Sequence, residues 1–528
     1  MLSFLRARAS RSSPAAPVLR DWQSSGHALN LQLDAALAGH RVAIDLDGTF
    51  FADATVDADG SATFAFAFSP SARASASLLP RRGRDGEPLL PLPLALRFGA
   101  QPMATAAHTA ASGASHLEPV GRTVPFGIDC AAHEVAIVVP VYDAPALVER
   151  CLDSVLKHTA GRARLIVIDD ASPDPAIAPL LARYASRANV EVLRNESNRG
   201  FTTTANRGIA QAGRADVVLL NADTQVGPNW LTGLRRAAAC AADIATVTAV
   251  SDNAGAFSVP ELEKENAFPS AWTFDEAARA LWHDAGTAYP ELPTGNGFCM
   301  YIRRAVLDAV GALDETAFPH GYGEENDFCQ RASARGFRHL IAGNVYVRHA
   351  RSASFGHARR AALGQAGMTV LRERWPKYEA DVAATLHSFE RRVLDWRVRR
   401  IFAAIGETPP RLRVLRAGET ISAWTDADAW RLASDGDNVQ LSHAGRAIAQ
   451  APRHGGEVAG PTSLDEPLWH WLQAFATEVI VATGAIPPAL PHLASALGIP
   501  FADARDGDIE AAIASAIDST RSFADGAP

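Results

Sequence analysis

The sequence lacks the features that identify several common classes of protein. In 528 residues, no apolar run approaches the roughly 18 residues that a membrane-spanning helix needs. The formal net charge is −8, which argues against broad binding to nucleic acid, so no nucleic-acid partner is predicted. The C-terminal third has no GxGxxG fingerprint, and the first predicted crossover of the central part has no glycine- and lysine-rich phosphate loop.

Cysteine is scarce and scattered. The chain has five cysteines without a CxxC pair: Cys130, Cys151, Cys240, Cys299 and Cys329. An odd, scattered set suits a reducing cytosol with buried thiols, so a cytoplasmic location is predicted. The basic N-terminus, residues 1–8, has an apolar part too short for a secretory signal. It is predicted to be a frayed tail, with weak contact to a membrane surface as the alternative.

Arginine is concentrated in residues 370–405, which are predicted to be helical. The arginines there alternate with aromatic residues: Arg372, Arg374, Trp375, Phe389, Arg391, Arg392, Trp396, Arg397, Arg399, Arg400 and Phe402. The pattern predicts a solvated, partly packed helix face. Docking on the anionic inner surface of a membrane is the alternative, which would make the protein peripheral.

The spacing of apolar residues changes along the chain and divides it into four parts. With 48% apolar residues, the chain can form about two to four domains with sizeable cores. Alternating apolar and polar residues predict a β-rich accessory module over 25–125, built as a β-sandwich and ending in a linker over 101–116. An α/β domain over 130–375 and a basic helical connector over 376–408 follow. The C-terminal α/β unit, 409–528, resembles half of a Rossmann-like fold.

Several apolar segments in the part 130–375 end in polar or acidic residues. The predicted strand and turn 135–143 and the predicted strands 165–169 and 217–221 each end in Asp or Asn. Helices such as 145–158, with apolar residues on one face, connect them. Right-handed crossovers between such strands predict parallel strands with helices on both faces, so the polar ends meet at one edge of the sheet. Residues 251–293 show no clear period and are predicted to be loop-rich.

The order of short motifs in this part resembles that of a known family. The motifs are Pro140-Val141-Tyr142-Asp143, Val167-Ile168-Asp169-Asp170-Ala171-Ser172, Asn195-Glu196-Ser197-Asn198-Arg199-Gly200-Phe201, Leu220-Asn221-Ala222-Asp223-Thr224, Thr294-Gly295-Asn296-Gly297-Phe298, Gly321-Tyr322-Gly323-Glu324-Glu325-Asn326-Asp327 and His349. In order and spacing they resemble the family-2 glycosyltransferases, especially the bacterial polysaccharide and O-antigen branch. The resemblance covers residues 135–355. It implies the GT-A fold, an α/β architecture with a mixed sheet flanked by helices.

The resemblance implies how a nucleotide-diphosphate sugar would be bound. Pro140, Tyr142 and Asp143 would border the base and ribose of this donor. Asp170 would contact the nucleoside, with capping of a helix near Ser172 as its alternative. Further donor-binding positions implied by the motifs are Asn198, Gly200, Asn221, Ala222, Gly295 and Gly297. A plain tight turn is the alternative for Gly297.

The resemblance also implies a divalent cation, Mg²⁺ or Mn²⁺, as cofactor. A diphosphate leaving group develops negative charge that a hard cation stabilises. Asp223 occupies the last position of the metal-binding DxD motif, whose first position here is Asn221, so one carboxylate ligand is missing and weak binding is predicted. His349 matches a histidine that ligates the metal in several relatives. A structural histidine at a strand end is its alternative.

The catalytic base is expected in the acidic cluster. Glu325 aligns with the acid that has this role in the family, while Glu324 and Asp327 are rival candidates because Glu replaces Asp at the matching position. The alternative is a solvated, charged helix start, where the helix dipole favours carboxylates.

The predicted function is that of an inverting, metal-dependent glycosyltransferase. It would move a sugar from a nucleotide-diphosphate donor to a glycan or a lipid-linked glycan acceptor. The alternative is an inactive, transferase-like carbohydrate-binding or scaffolding protein, which Asn221 and the extra flanking units favour. A nucleotidyltransferase is disfavoured because the phosphate loop is missing.

Overall fold

A computed structural model shows how the predicted elements are arranged. It describes residues 19–25, 28–46, 49–65, 75–83, 89, 94–97, 122–287, 289–319, 321–350, 357–403, 409–418, 430–435, 438–443, 446–452, 465–505 and 508–520. The chain divides into two compact units, 1–106 and 107–528, and each is described by itself. The predicted N-terminal tail and the predicted linker 101–116 lie outside the described residues.

The first unit consists of antiparallel strands. They are β1 (Leu19–Ser25), β2 (Ala28–Leu33), β3 (Arg41–Leu46), β4 (Thr49–Thr55), β5 (Ser61–Ala65), β6 (Ser75–Arg82) and β7 (Leu94–Arg97). They form two sheets, with strand orders β1-β2-β5 and β4-β3-β6-β7. The alternation that predicted these strands buries Leu31 and Leu33 on β2 and Val42 and Ile44 on β3.

The central sheet of the second unit mixes parallel and antiparallel strands. These strands are β8 (Val135–Val141), β9 (Ala163–Asp169), β10 (Val190–Arg194), β11 (Asp216–Leu220), β12 (Thr224–Val226), β13 (Ile244–Val250), β14 (Cys299–Ile302) and β15 (Arg338–His349). Their order is β10-β9-β8-β11-β14-β13-β15-β12. β8, β9, β10 and β11 are parallel, as predicted. β14 runs antiparallel to both β11 and β13, and β15 is parallel to β13.

Helices cover both faces of this sheet. They are α1 (Pro145–His158), α2 (Ile177–Ala185), α3 (Phe201–Gln211), α4 (Trp230–Ala239), α5 (Phe274–Asp284), α6 (Arg304–Val310), α7 (Glu324–Ser333), α8 (His357–Arg374), α9 (Tyr378–Leu386) and α10 (Phe389–Ala403). Successive residues of β8 point to opposite faces of the sheet and belong to two different hydrophobic cores. Val135 and Ile137 pack with α1, α2, α4 and α5, whereas Ala136 and Val138 pack with α3, α6 and α7. Both faces of the strand are buried, which explains its continuous apolar sequence.

The prediction of a loop-rich stretch over 251–293 is wrong in part, because α5 lies within it. Thr273 caps this helix: its hydroxyl accepts from the amide of Glu276, whose side chain accepts from the Thr273 amide. Ala277 and Leu281 on α5 are fully buried. The Thr-x-x-Glu capping box in the sequence predicts the start of this helix. The helical spacing of its apolar residues is hard to recognise among the surrounding prolines and charged residues.

The prediction of a solvated or membrane-docking arginine face is wrong for Arg391. Its side chain is buried, lies 3.0 Å from Asp395 Oδ1, and donates to the carbonyls of Ala256 and Ser258. Leu394 on the same helix belongs to the main core. α10 therefore packs into the fold, where Arg391 satisfies backbone carbonyls that would otherwise be buried without a partner.

A second, smaller sheet follows. Its strands are β16 (Val414–Ala417), β17 (Trp430–Asp435), β18 (Asn438–His443), β19 (Arg446–Pro452), β20 (Val479–Ala482) and β21 (Phe501–Asp503), and its helices are α11 (Asp465–Ala474), α12 (Leu490–Ala496) and α13 (Ile509–Thr520). The strand order is β19-β18-β17-β16-β20-β21. β17, β16, β20 and β21 are parallel, and β18 and β19 add an antiparallel meander.

A buried glutamate joins this sheet to the central one. The carboxylate of Glu478 accepts from Arg279 on α5 at 3.1 Å and from Asn229 at the start of α4 at 3.0 Å. It also lies 2.8 Å from His283 Nε2 and accepts from the amide of Arg413 at 2.9 Å. These partners hold its pKa below the usual value despite burial, so the ion network ties the two sheets together. Among the described helices, none combines the length and apolar character that crossing a bilayer requires.

Candidate active site

One edge of the central sheet collects the predicted site residues. The C-terminal ends of β8, β9, β11, β13 and β15 lie at this edge, and so does the N-terminal end of the antiparallel β14. The motifs that follow or precede these ends therefore come together, although long stretches of sequence separate them. In open α/β sheets this edge is where ligands bind.

The loop after β8 is shaped by its own polar groups. Asp143 and Ala144 both have left-handed backbone angles, with φ of 58° and 56°. The amide of Asp143 donates to Ser172 Oγ at 2.9 Å, and the amide of Asp174 donates to Asp143 Oδ1 at 3.1 Å. These bonds fasten the loop after β8 to the loop after β9. The intervening Tyr142, like Pro140 within β8, is partly exposed at this edge.

Asp170 is buried and organises the next loop. Its Oδ1 accepts from Asn195 Nδ2 at 2.7 Å and from the amide of Arg199 at 2.8 Å, and its Oδ2 accepts from the amide of Gly200 at 2.9 Å. The amide of Ser172 is bound by Asp169 instead, so Asp170 is not the cap near Ser172. Asp170 thus fixes the segment that leads into α3.

Asn221, Asp223 and His349 meet at the far side of the same edge. β12 pairs with β15 so that Thr224 lies opposite His349. Nε2 of His349 lies 3.3 Å from Asp223 Oδ1 and 3.5 Å from Asn221 Nδ2. The strand pairing also sets the backbone, because the amide of Ala350 donates to the carbonyl of Asp223 at 3.0 Å. The two residues predicted to bind metal are therefore neighbours.

The loop after β13 fixes the orientation of His349, and the sequence reasoning missed this loop. The carbonyl of Asn253 lies 2.9 Å from Nδ1 of His349, and because a carbonyl can only accept, Nδ1 carries the hydrogen. Asp252 Oδ1 accepts from the His349 amide at 2.9 Å, and the Phe298 ring stacks on the imidazole. Burial raises the pKa of Asp252. The signal was present: Ser251-Asp252-Asn253 follows an apolar strand, as the other motifs do.

The donor set of His349 and Asp223 fits a divalent cation. In the neutral imidazole with its hydrogen on Nδ1, Nε2 presents a lone pair to the Asp223 carboxylate. Two electron-pair donors at 3.3 Å repel each other unless a cation or a proton lies between them. Within the described residues no cluster of three or more His, Cys, Asp or Glu side chains could hold a metal. A bound cation would therefore need phosphate oxygens and water as further ligands, as Mg²⁺ commonly does.

Glu324 and Glu325 begin α7 as a coupled acid pair. Burial raises the pKa of both carboxyl groups, and the neighbouring Glu325 raises that of Glu324 further. Because the two carboxyl groups interact, they titrate as a pair. Oε2 of Glu324 accepts from the amide of Gly323 at 3.0 Å. Oε2 of Glu325 is buried and has no hydrogen-bond partner among the described residues. Glu325 is thus the member that presents a free carboxylate oxygen.

Asp327 occupies a different environment from the acid pair. Its Oδ2 accepts from Arg331 Nε at 2.8 Å, and its Oδ1 accepts from Trp375 Nε1 at 3.0 Å and from Arg374 Nη1 at 3.2 Å. The side chain is fully buried. Because both oxygens are bound by donors, Asp327 anchors the first turn of α7.

Phe201 connects the acid pair with the glycine motif. A Cβ added at Gly297 would lie 3.6 Å from the Phe201 ring, and one added at Gly321 would lie 3.5 Å from Glu324 Oε1 and 3.7 Å from the same ring. Phe298, next to Gly297, accepts from the amide of Asn221 at 2.9 Å. The loop held by Asp170, the Asp223–His349 pair and the acid pair therefore surround one region.

The remaining predicted donor positions serve the local backbone. Asn198 Oδ1 accepts from the Gly200 amide at 3.2 Å, and Ala222 packs against the main core. A Cβ at Gly295 would lie 2.3 Å from Met300 Sδ, so packing alone requires a glycine there. Gly297 has more space, which suits the close approach of a ligand.

His339 connects α7, the helix with the acid pair, to the central sheet and makes the stability of the fold depend on pH. Its Nε2 lies 3.0 Å from the carbonyl of Cys329 on α7, and its Nδ1 lies 2.8 Å from Thr246 Oγ1 on β13. Burial lowers its pKa from 6.5 to about 4. The unfolded chain therefore takes up a proton below pH 6.5 that the folded chain takes up only near pH 4.

We expect the free energy of unfolding to fall as the pH drops from about 6.5 to about 4, by roughly 3 kcal/mol from His339 alone. Urea titrations at pH 7 and pH 4.5 measure this change. His339→Gln should be less stable at pH 7 but lose less on acidification, whereas the exposed His133→Asn should follow the wild type. Equal pH dependence in His339→Gln and the wild type would contradict the assignment.

Comparison with known proteins agrees with this geometry. Residues 136–311 match the family described as "Glycosyl transferase family 2". The matched residues, which contain β9 to β14 and nearly all of β8, therefore form a family-2 glycosyltransferase domain. Its mixed, curled sheet flanked by helices confirms the predicted α/β GT-A fold. The matched residues include the strand ends with Asp170, Asn221 and Asp223, while the acid pair and His349 lie beyond them.

Several curated proteins are similar to parts of the chain. The N-acetylglucosaminyl-diphospho-decaprenol L-rhamnosyltransferase of Mycobacterium tuberculosis is 26% identical over 251 residues, which cover 42% of this chain and 77% of that protein. The uncharacterized glycosyltransferase EpsJ of Bacillus subtilis is 30% identical over 93 residues, 17% of this chain. The chain spans only 26% of the length of EpsJ.

Two solved structures show a more distant likeness. The mannosyltransferase PcManGT from Pyrobaculum calidifontis, in complex with GDP-Man and Mn²⁺, is 18% identical, covering 54% of this chain and 78% of its own, with a TM-score of 0.36. GalNAc-T7 with UDP, GalNAc and Mn²⁺ is 17% identical, covering 48% of this chain and 50% of its own, with a TM-score of 0.37.

Proposed function

We propose that this glycosyltransferase inverts the anomeric configuration of a sugar that it moves from a nucleotide-diphosphate donor to a glycan or lipid-linked glycan acceptor. The observation that supports this most is the grouping of the Asp223–His349 pair and the Glu324–Glu325 pair around Gly297 and Phe201. One pair has the chemistry to hold a cation-bound diphosphate, and the other has the chemistry to accept a proton.

The donor would lie along the strand ends. Pro140, Tyr142 and Asp143 would face its base and ribose, and the loop that Asp170 holds would border the nucleoside. Asp223 and His349, with Asn221 beside them, would hold Mg²⁺ or Mn²⁺. Such a cation, when bound, neutralises charge on the departing diphosphate.

Glu325 would act as general base. The acceptor hydroxyl oxygen forms a bond to the anomeric carbon while the bond from that carbon to the diphosphate oxygen breaks, and the hydroxyl proton passes to Glu325. The nucleoside diphosphate leaves with the bonding electron pair. Glu324, bound to the Gly323 amide, would hold the start of the helix in place beside Glu325, while Asp327 holds the helix below them.

We further propose a role in bacterial polysaccharide or O-antigen synthesis, in the cytoplasm or at the inner face of the membrane. The M. tuberculosis relative, whose name describes a transferase acting on a diphospho-decaprenol-linked sugar, supports a lipid-linked acceptor. The β-rich module 25–125 would then contact the acceptor, and the connector 376–408 and the C-terminal unit 409–528 would pack against the domain 130–375.

A thermal-shift screen of UDP-, dTDP- and GDP-sugars with and without Mn²⁺ tests this proposal. At 100 times its Kd, the true donor should stabilise the protein by roughly 2.7 kcal/mol, and the shift should shrink when EDTA replaces Mn²⁺. Asn221, at the first position of the DxD motif, favours the second candidate, an inactive carbohydrate-binding or scaffolding protein. Glycan binding without any nucleotide-sugar shift would establish that candidate and exclude the transferase.

A further inference from the structure

The backbone that leads into the acid pair is unusual. Three successive residues, Gly321, Tyr322 and Gly323, have positive φ angles of 85°, 69° and 143°. A tyrosine rarely adopts this conformation, so surrounding contacts must hold it there. The loop also binds the pair directly, because the amide of Gly323 donates to Glu324 Oε2 at 3.0 Å. A shift of this loop would therefore move the carboxyl groups.

α8 supplies the contact that holds this loop. A Cβ added at Gly367, in the middle of α8, would lie only 1.7 Å from the carbonyl oxygen of Tyr322 and 3.7 Å from the amide nitrogen of Gly323. One turn later, Leu371 is fully buried and packs with Phe318. A Cβ at Gly323 would meet that same Phe318 ring at 2.5 Å. The helix and the loop are thus in backbone contact, which only glycine at 367 permits.

The end of α8 holds the other side of the acid pair. Arg374, the last residue of the helix, and Trp375 both donate to Asp327 Oδ1, at 3.2 Å and 3.0 Å. Asp327 lies two residues after Glu325, in the first turn of α7. α8 therefore touches the chain immediately before the pair and immediately after it.

We infer that α8 is the element that positions the acid pair for proton transfer, and that Gly367 is a positioning residue for the reaction. The inference rests on the proposed role of Glu325. A methyl group at 367 must push the Tyr322 carbonyl away, because that atom belongs to backbone and cannot rotate aside. Glu324 and Glu325 then move relative to the acceptor, whereas His349, at the end of β15, and Asp223, in the turn between β11 and β12, keep their places.

The helix contains a matched control. Gly364 lies in α8 three residues before Gly367, and a Cβ added there would meet nothing within 4 Å. Gly364→Ala and Gly367→Ala therefore make the same chemical change in the same helix and gain the same helix propensity. They differ only in contact with the loop.

We expect Gly367→Ala to lower kcat by about ten- to a hundredfold, since a displacement near 1 Å has this effect on catalytic geometry. The KM for the donor and the Kd for the nucleoside diphosphate should stay within about twofold, and the acidic limb of the pH dependence of kcat should shift. Gly364→Ala should match the wild type in all four measurements. Wild-type kcat and pH profile in Gly367→Ala, or equal losses in kcat and donor binding, would overturn the inference.

A second variant covers the case in which Gly367→Ala does not fold. Trp375→Phe removes the indole donor to Asp327 and leaves the loop contact intact. We expect a smaller fall in kcat, about three- to tenfold, again with unchanged donor KM. An unchanged kcat in a folded Trp375→Phe protein would also count against the inference. If the proposed function is wrong, the wild-type protein itself transfers no sugar. If only this inference is wrong, the wild-type protein is active and the variants have the same kcat as the wild type.

Discussion

Glu325→Gln is expected to abolish sugar transfer while the fold and donor binding remain intact. The amide has nearly the same shape as the carboxylate but cannot take up the proton of the acceptor hydroxyl. Loss of a general base lowers kcat by about a hundred- to ten-thousandfold. Initial rates with the donor identified by thermal shift give kcat, while the thermal midpoint and the Kd for the nucleoside diphosphate show that the rest of the site is unchanged.

The other two acids provide the controls for Glu325. Oε2 of Glu324 is already bound to the Gly323 amide, so Glu324→Gln keeps an oxygen acceptor for that amide and should lose at most about tenfold in kcat. Asp327→Asn should reduce stability more than chemistry, because it weakens the bonds to Arg331 and Arg374. If Glu325→Gln is fully active while Glu324→Gln is inactive, the roles within the pair are reversed.

The pH dependence of kcat follows from the same pair. Burial raises the pKa of Glu325 above the usual value of 4.5, and only its deprotonated form can accept a proton. The rate should therefore fall as the pH drops through this raised value, at a higher pH than for an exposed glutamate.

Asp223→Asn is expected to remove the dependence of donor binding on the cation. The carboxylate contributes the charge of the Asp223–His349 pair, and an amide in its place binds a hard cation poorly. For the wild type, the nucleoside diphosphate should bind about ten- to a hundredfold more tightly with Mn²⁺ than with EDTA. In the variant, calorimetric titrations with Mn²⁺ and with EDTA should give similar Kd values.

Asp243→Asn is the matched control for this experiment. It also removes one carboxylate charge, but Asp243 pairs with Arg338 at 2.7 Å, at the opposite end of β15 from His349. The cation dependence of this variant should equal that of the wild type. If the wild type binds the nucleoside diphosphate equally well with Mn²⁺ and with EDTA, the pair does not serve a cation in donor binding.

The elements near the site show where local sequence was sufficient. The helix predicted over 145–158 has those same bounds, and the strand ends with Asp170 and Asn221 lie at one edge as expected. Apolar periodicity reflects burial on one or two faces, and parallel strands connected by helices must place their carboxyl ends together. These relations hold between neighbours in the chain, so the sequence contains them.

Other features depended on partners distant in sequence. β14 lies antiparallel between β11 and β13, which are far from it in the sequence. Arg391 is likewise buried against the carbonyls of Ala256 and Ser258, more than 130 residues before it. The spacing of apolar residues along a segment does not indicate which strands are neighbours in the sheet. It also does not indicate which backbone carbonyls need a hydrogen-bond donor. The same reason hid the contact between Gly367 and Tyr322.

The sequence by itself determined that acids and amides would stand at the ends of buried strands, because a run of apolar residues that stops at Asp or Asn is a local pattern. Only the tertiary structure decided which of these groups can react. The carbonyl of Asn253 selects the His349 nitrogen that faces Asp223, and the Gly323 amide binds Glu324 while Oε2 of Glu325 has no hydrogen-bond partner among the described residues. Protonation depends on burial and on neighbours within a few ångströms, and the packed fold alone creates both.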